Sequence, residues 1–276
     1  MKSIQVFDYL AIGHIACDLT PTGEVTGGTV AFSGATARAL GCRTAILTSA
    51  APDFDFEKDA ALTGLEVHRL PASQSTTFKN VYRHGARTQY LYGRARPLSC
   101  EHVPQGWEHT PIVHLAPIAA ELDPSLVYHF GNSLIGLTPQ GWLRTWDAEG
   151  RVHAQFWEEA QDVMPLAAAV VLSDEDLADR TWLDRFRRWA PLLVLTQGAA
   201  GCTVFMGDEE RRFPAPEVEE VNPTGAGDVF AAAFFIRLYQ TKGNPWEAAR
   251  FANKIAAQSV MGNDLASKIR CVQTTL

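Results

Sequence analysis

Apolar and polar positions change rhythm several times along the chain, and each rhythm predicts an element. Residues 4–13 alternate toward β-branched and aromatic types and stop at Gly13, the pattern of a buried first strand. The stretch Gly28 to Leu40, GTVAFSGATARAL, reads as a helix closed by Gly41. A second strand is predicted at Thr44 to Ser49, an acidic Phe-containing helix near Asp53 to Thr63, and a third strand at Leu65 to Leu70. Strands and helices in such short alternation imply a parallel sheet covered by helices.

From Thr76 to Arg96 the rhythm breaks. TTFKNVYRHGARTQYLYGRAR splits into two alternating segments about His84-Gly85, which predicts a hairpin. Carrying Tyr82, Tyr90, Tyr92, Lys79, Arg83, Arg87, Arg94 and Arg96, it reads equally well as a lid over a site and as a solvated decoration. The alternation resumes with strands near Ile112 to Leu115, Leu126 to Phe130, Val152 to Phe156 and Ala168 to Leu172, and a helix at Thr181 to Trp189. Leu192 to Thr196 is a further buried strand, and Cys202 to Phe205 pairs with Arg211 to Phe213 as an antiparallel edge. Helices are predicted at Ala226 to Tyr239, at Pro245 to Met261 and, shorter, after Asn263.

A chain of 276 residues, 46% hydrophobic and 20% charged, is long enough for one large α/β domain with its own core. The net charge of -7, with no Lys/Arg run longer than two, argues against nucleic-acid and anionic-membrane partners. Five scattered cysteines without a C-x-x-C pair fit a reducing compartment. Asp8 interrupts what would be the apolar core of a signal peptide, and no stretch approaches the roughly 18 apolar residues of a membrane span. A cytoplasmic protein is expected. The eight histidines form no H-E-x-x-H pair, and no G-x-S-x-G is present for a hydrolase nucleophile.

The chemistry concentrates in VNPTGAGDVFAAAFF, residues 221–235, where a glycine-rich turn runs straight into an apolar helix. Each glycine in a first helical turn costs about 1 kcal/mol against alanine. In return it leaves bare N–H groups that a ligand can approach. The amides of Gly225, Ala226 and Gly227, with the positive end of the helix dipole, make an anion hole suited to a phosphoryl group. Asp228 beside that hole would repel a bound phosphate, so its place makes sense if it accepts the proton of an attacking hydroxyl. A glycine turn followed by a dipole-friendly aspartate is the plainer reading of the same residues.

V-N-P-T-G-A-G-D-V-F-A-A-A-F resembles the C-terminal signature of the ribokinase-like, or PfkB, carbohydrate kinase family, and further segments match in the family's order. The resemblance implies a three-layer α/β/α sandwich with a mostly parallel central sheet. It further implies one kinase domain over residues 1–276, with a small β lid built from about 14–28 and 66–96. G-H-I-A-C-D places Asp18 where the family's aspartate bonds substrate hydroxyls. Gly27 and Gly28 match the glycines that let backbone approach the sugar, while Phe32 stands where the family has asparagine, either as an aromatic wall of the substrate site or as plain core.

V-V-L-S-D-E-D resembles the segment that organises Mg²⁺ through water, with Ser173 and Asp176 at the matching positions; the same residues also read as a helix N-cap with acids in its first turn. Thr196, Gly198 and Gly201 match a nucleotide-binding turn, and Asn253 the helix lining the adenine pocket. Asn222 replaces an aspartate that in many members helps bind a monovalent cation, so dependence on K⁺ is expected to be weak or absent. The region Gly141 to Val152 is similar to the inositol-kinase branch.

The implied function is ATP- and Mg²⁺-dependent phosphorylation of a hydroxyl on a small polyhydroxy substrate, a sugar or an inositol. A nucleoside kinase, favoured by stacking on Phe32, Tyr82, Tyr90 and Tyr92, is the first alternative. A non-catalytic nucleotide or metabolite sensor is the second. Homodimerisation through lids occurs among relatives and is left open by the residues.

Overall fold

The computed structural model describes residues 6–83 and 86–274; the side chains of residues 82–87, among them Tyr82, Arg83 and Arg87, lie outside what is described. Fifteen strands are found among the described residues. The chain enters through β1 (Tyr9–Ile12), followed by β2 (Ala16–Thr20), β3 (Gly23–Gly27), β4 (Thr44–Ala50), β5 (Glu66–Pro71), β6 (Thr76–Arg83) and β7 (Ala86–Gly93). It continues with β8 (Ile112–Leu115), β9 (Leu134–Leu137), β10 (Arg144–Trp146), β11 (Val152–Ala154), β12 (Ala169–Ser173), β13 (Leu193–Thr196), β14 (Cys202–Met206) and β15 (Glu209–Phe213). The helices are α1 (Thr29–Ala39), α2 (Ala160–Val163), α3 (Arg180–Trp189), α4 (Ala226–Gln240), α5 (Pro245–Ser259) and α6 (Leu265–Gln273).

A nine-stranded sheet runs in the order β15-β14-β13-β12-β9-β8-β1-β4-β5. It is parallel from β5 to β13 and turns antiparallel at β14 and β15. Its inner strands, such as β1, β4 and β8, are buried and largely apolar on both sides because both faces are covered, while the edge strands β5 and β15 are largely exposed. Tyr9 and Ala11 of β1 pack into one core with α1, α4, α5 and α6, while the alternate residues Leu10 and Ile12 pack into another with Phe186 of α3 and Val163 of α2. The result is the α/β/α sandwich expected from the sequence. Among the described residues no helix is long and apolar enough to cross a membrane.

A second sheet, β3-β2-β6-β7, is assembled from two excursions of the chain, one after β1 and one after β5. Residues 66–71, read as part of the lid segment, run instead as β5 on the edge of the main sheet. Ala16, Phe78 and Leu91 of the small sheet pack on Ile118 and Ala119.

Three expected elements differ. The helix near Asp53 to Thr63 is a series of turns, because Asp55 and Asp59 accept the N–H groups of Glu57 and Ala61 and so close local turns in place of a helical ladder. The strand at Leu126 to Phe130 is a 3-10 helix, Pro124–His129, started by Pro124 and by Asp123 accepting from the Ser125 amide; the strand is β9. The strand at Val152 to Phe156 is β11, which pairs only with β10 and stands outside the main sheet.

Candidate active site

From β1 the chain leaves to one side, through β4 and β5, and returns on the other at β8, so the carboxyl ends of β1 and β8 flank a topological switch point. Where β3 runs into α1 the backbone is packed without room for a side chain at Gly27 or Gly28. A Cβ on Gly27 would stand 2.2 Å from Asp18 Oδ2, and one on Gly28 2.6 Å from the His14 carbonyl. Gly28 also has φ +90°, a conformation other residues rarely adopt. The two glycines therefore bring the carboxylate of Asp18 against the start of α1, whatever else they do for a ligand.

His14 ties the two sheets together. Its buried ring bonds Thr76 Oγ1 at 2.6 Å and the Arg96 carbonyl at 2.8 Å, where the chain enters β6 and where it has left β7. Its amide donates to Glu121, a buried carboxylate that also accepts from the amides of Ile118 and Ala119. Burial holds the His14 ring below its ordinary pKa.

Facing these residues is the start of α4, capped by Gly225 in a left-handed conformation with φ +79°. A side chain at 225 is excluded twice over, since its Cβ would also stand 2.3 Å from Cδ1 of Phe32. Phe32 is thus buried as the prop under the turn, nearer to the plain-core reading than to an exposed substrate wall. The Ala226 amide donates to the Pro223 carbonyl at 3.0 Å, whereas Gly227 is exposed with open space where a Cβ would be.

Asp228, one residue on, is only partly exposed. Burial pushes its carboxyl up to about 6, a hydrogen bond from Thr29 opposes the rise, the negative charges of Asp176 and Asp18 add to it, and Arg144 counters them. Asp18, Thr29, Arg144 and Asp176 therefore all lie within electrostatic or hydrogen-bonding reach of Asp228.

Asp176 closes the other side. Its Oδ2 accepts from the Ser173 amide at 3.3 Å, while Ser173 Oγ accepts from the Glu175 amide, the capping arrangement anticipated for this segment. Its Oδ1 accepts from Gln140 Nε2 at 3.2 Å and lies 3.9 Å from Arg144 Nη2, with both ionic side chains at most 15% exposed. Thr29, Gln140 and Arg144 were not singled out as site residues from the sequence. A lone arginine in the otherwise apolar run Gly141-Trp142-Leu143-Arg144 was the available signal.

The expected nucleotide residues separate. Thr196 ends β13 beside Ser173 of β12, its hydroxyl donating to the Leu172 carbonyl at 3.3 Å, and Gly198 opens on empty space at φ +55°. Gly201 is turned inward, where a Cβ would meet the Phe213 carbonyl at 2.1 Å. Asn253 is buried, its Nδ2 donating to the carbonyl of Phe213 at 2.8 Å, so it anchors the end of β15. Lys79, paired with Leu19, alternates with Phe78 and so projects from the face of the small sheet opposite Asp18, as do Tyr90 and Tyr92, stacked at 6.2 Å. On that face Cys17, Thr26, Thr77 and Lys58 line a cavity of about 460 Å³.

Among the described residues no three His, Cys, Asp or Glu side chains come together as a metal cage. Magnesium bound to phosphates keeps most of its waters and needs few protein ligands. Asp176, with both oxygens already engaged, fits a contact made through water.

The family described as pfkB family carbohydrate kinase matches residues 157–268. The chain is 29% identical over 229 residues to a fructokinase of Klebsiella pneumoniae, covering 75% of this chain and 73% of that one. It is 26% identical over 267 residues to a cytidine kinase of Thermococcus kodakarensis, covering 88% and 91%. In three dimensions it is similar to a pyrophosphate-dependent kinase in the ribokinase family, solved with a pyrophosphate analog and myo-inositol, at a TM-score of 0.80 with 21% identity and coverage of 96% and 99%.

Proposed function

The chain belongs to the ribokinase-like, PfkB carbohydrate kinase family, and on that footing we propose that it transfers the γ-phosphoryl group of ATP to a hydroxyl of a small polyhydroxy acceptor, a sugar or an inositol. The observation that carries this reading is the placement of Asp228 in the first turn of α4, directly after the glycine turn, bonded to Thr29 and within electrostatic reach of Asp18, Asp176 and Arg144, where burial pushes its carboxyl up to about 6. A base of that pKa is ionised at neutral pH yet basic enough to take a hydroxyl proton as phosphorus is attacked.

Asp18, held by Gly27 and Gly28, would bond the acceptor's hydroxyls, and the small sheet would close over it as a lid. The amides of Gly225 and Gly227 would face the transferring phosphoryl oxygens, strengthened by the helix dipole. The Ala226 amide would remain with Pro223. Magnesium, held by Asp176 through water, would neutralise charge on the donor phosphates. Arg144, a cation set among the carboxylates of Asp18, Asp176 and Asp228, would keep Asp228 from being protonated at working pH.

A second reading concerns the donor. Asn253 and Gly201, two of the four residues expected to border the nucleotide, are committed to internal packing around Phe213, while Gly198 opens on empty space. That favours including pyrophosphate beside ATP as a candidate donor. The acceptor panel is set by the relatives: inositols, hexoses, pentoses and nucleosides. An acceptor-dependent signal in wild type that disappears in Asp228→Asn supports the kinase. Binding of donor without transfer to any acceptor favours the sensor.

A further inference from the structure

The turn leading into the anion hole hangs on a buried cation that the site chemistry leaves unexplained. Lys268 of α6 is 1% exposed, and its ammonium donates to the carbonyl oxygen of Asn222 and, at 3.4 Å, to that of Ser259. Lysine is almost never fully buried without such partners. Glu220, Asp264 and Cys271 stand within electrostatic reach of it.

Asn222 is engaged at every polar atom. Its Oδ1 accepts from the Thr224 amide at 2.9 Å and its Nδ2 donates to the Asn263 carbonyl at 2.7 Å. Its backbone N–H, like that of Val221, donates to the Val260 carbonyl, at 3.0 and 2.9 Å. The turn that ends at Gly225 is thereby fastened to the connection between α5 and α6, with two side chains supplying the donors between facing carbonyl oxygens. An aspartate at 222 would have no hydrogen to give Asn263, and two acceptors would oppose each other there. A cation between them would resolve the conflict, and the family resemblance implies a monovalent cation beside this residue. The residues present do not fit one, because the Asn222 amide already donates to the Asn263 carbonyl and the Lys268 ammonium sits on the carbonyls of Asn222 itself and of Ser259.

We propose that Lys268 is a tethered cation, a positioning residue that, with the Asn222 amide, fixes the turn before Gly225 in place of a diffusible monovalent ion. The activity arm of its test rests on the kinase reading, while the stability arm does not.

Wild type, Lys268→Ala and Asn222→Asp/Lys268→Ala are compared in KCl, NaCl and choline chloride at equal ionic strength, reading thermal midpoint and turnover. Wild type is expected to be indifferent to the cation. Lys268→Ala is expected to melt lower and turn over more slowly. The double variant, holding a carboxylate and a vacated space, is expected to gain about tenfold in turnover, and to melt higher, in K⁺ than in choline. Activation of wild type by K⁺ overturns the proposal, as does a Lys268→Ala protein with wild-type stability and turnover, or a double variant equally unresponsive to all three salts. If the alanine variants do not fold in choline, refolding in KCl decides: recovery there supports the tethered cation, and failure in every salt contradicts it. If wild type shows no transferase activity, the melting temperatures alone decide between these outcomes.

Discussion

The ring of Phe32 occupies the space in which a side chain on Gly225 would begin, Cδ1 lying 2.3 Å from the ideal Cβ position. The first helix after the glycine pair and the glycine turn before Asp228 are thus one packed unit. Phe32→Ala removes the prop and is expected to cost about 3–5 kcal/mol of stability. It should also lower turnover by roughly a hundredfold by letting the turn shift. Gly225→Ala keeps the prop but forces ring and turn apart, with about 1–2 kcal/mol of added backbone strain at φ +79°, and should likewise lower turnover. Thermal melts and steady-state turnover on the two variants check this; wild-type turnover in both would show that the contact is idle.

As the proposed base, Asp228 must be ionised to act, so kcat/KM for the acceptor should rise with pH and level off above an apparent pKa of about 6. Arg144→Met removes the positive charge that holds Asp228 down, and the acid limb should move to higher pH. Asp176→Asn removes a like charge, and the limb should move lower. Opposite displacements in the two pH profiles are the expected result; displacement in the same direction would remove this electrostatic role.

Acid should destabilise the fold through its histidines. His114 is fully buried between Tyr9 and Thr138, bonded to their hydroxyls at 2.7 and 2.8 Å, and burial pushes its pKa down to about 3. The unfolded chain takes up a proton near 6.5 that the folded one refuses, so stability is present above 6.5 and is lost as pH falls toward 3. His14 acts in the same direction. Asp228 acts oppositely, because its raised pKa makes the folded state hold a proton more tightly between about 6 and 3.8. Each histidine contributes a slope of up to about 1.4 kcal/mol per pH unit. Denaturant unfolding of wild type and His114→Gln at pH 7 and pH 5 should show a smaller loss in the variant.

Much of this architecture was legible because it depends on local rules. The β1, α1, β4 succession and the closing helices follow from periodicity and from Gly41, and the glycine turn that opens α4 before Asp228 is legible from composition alone. What escaped was set in part by short-range carboxylate turns that compete with a helix and in part by contacts distant in sequence. The stretch from Asp53 to Thr63 carries a helix-like pattern, but the carboxylates of Asp55 and Asp59 turn the backbone locally. Leu134 to Leu137 is too short and too plain to outcompete the apolar run before it, although Asp123-Pro124 marks that run as the start of a turn of helix. Gln140 and Arg144 acquire meaning only when a 3-10 helix, Pro139–Leu143, and the start of β10 carry them to Asp176, 36 and 32 residues further on. Lys268 looks like a solvated lysine until Asn222 and Ser259 close around it.

The central claim is that Asp228 takes the acceptor's proton during phosphoryl transfer. Its most direct test is acceptor-dependent release of ADP, or of phosphate from pyrophosphate, by wild type and Asp228→Asn across the inositol, sugar and nucleoside panel. An unchanged donor affinity and a turnover lower by about two to four orders of magnitude are expected in the variant. Wild-type turnover in Asp228→Asn would contradict that role.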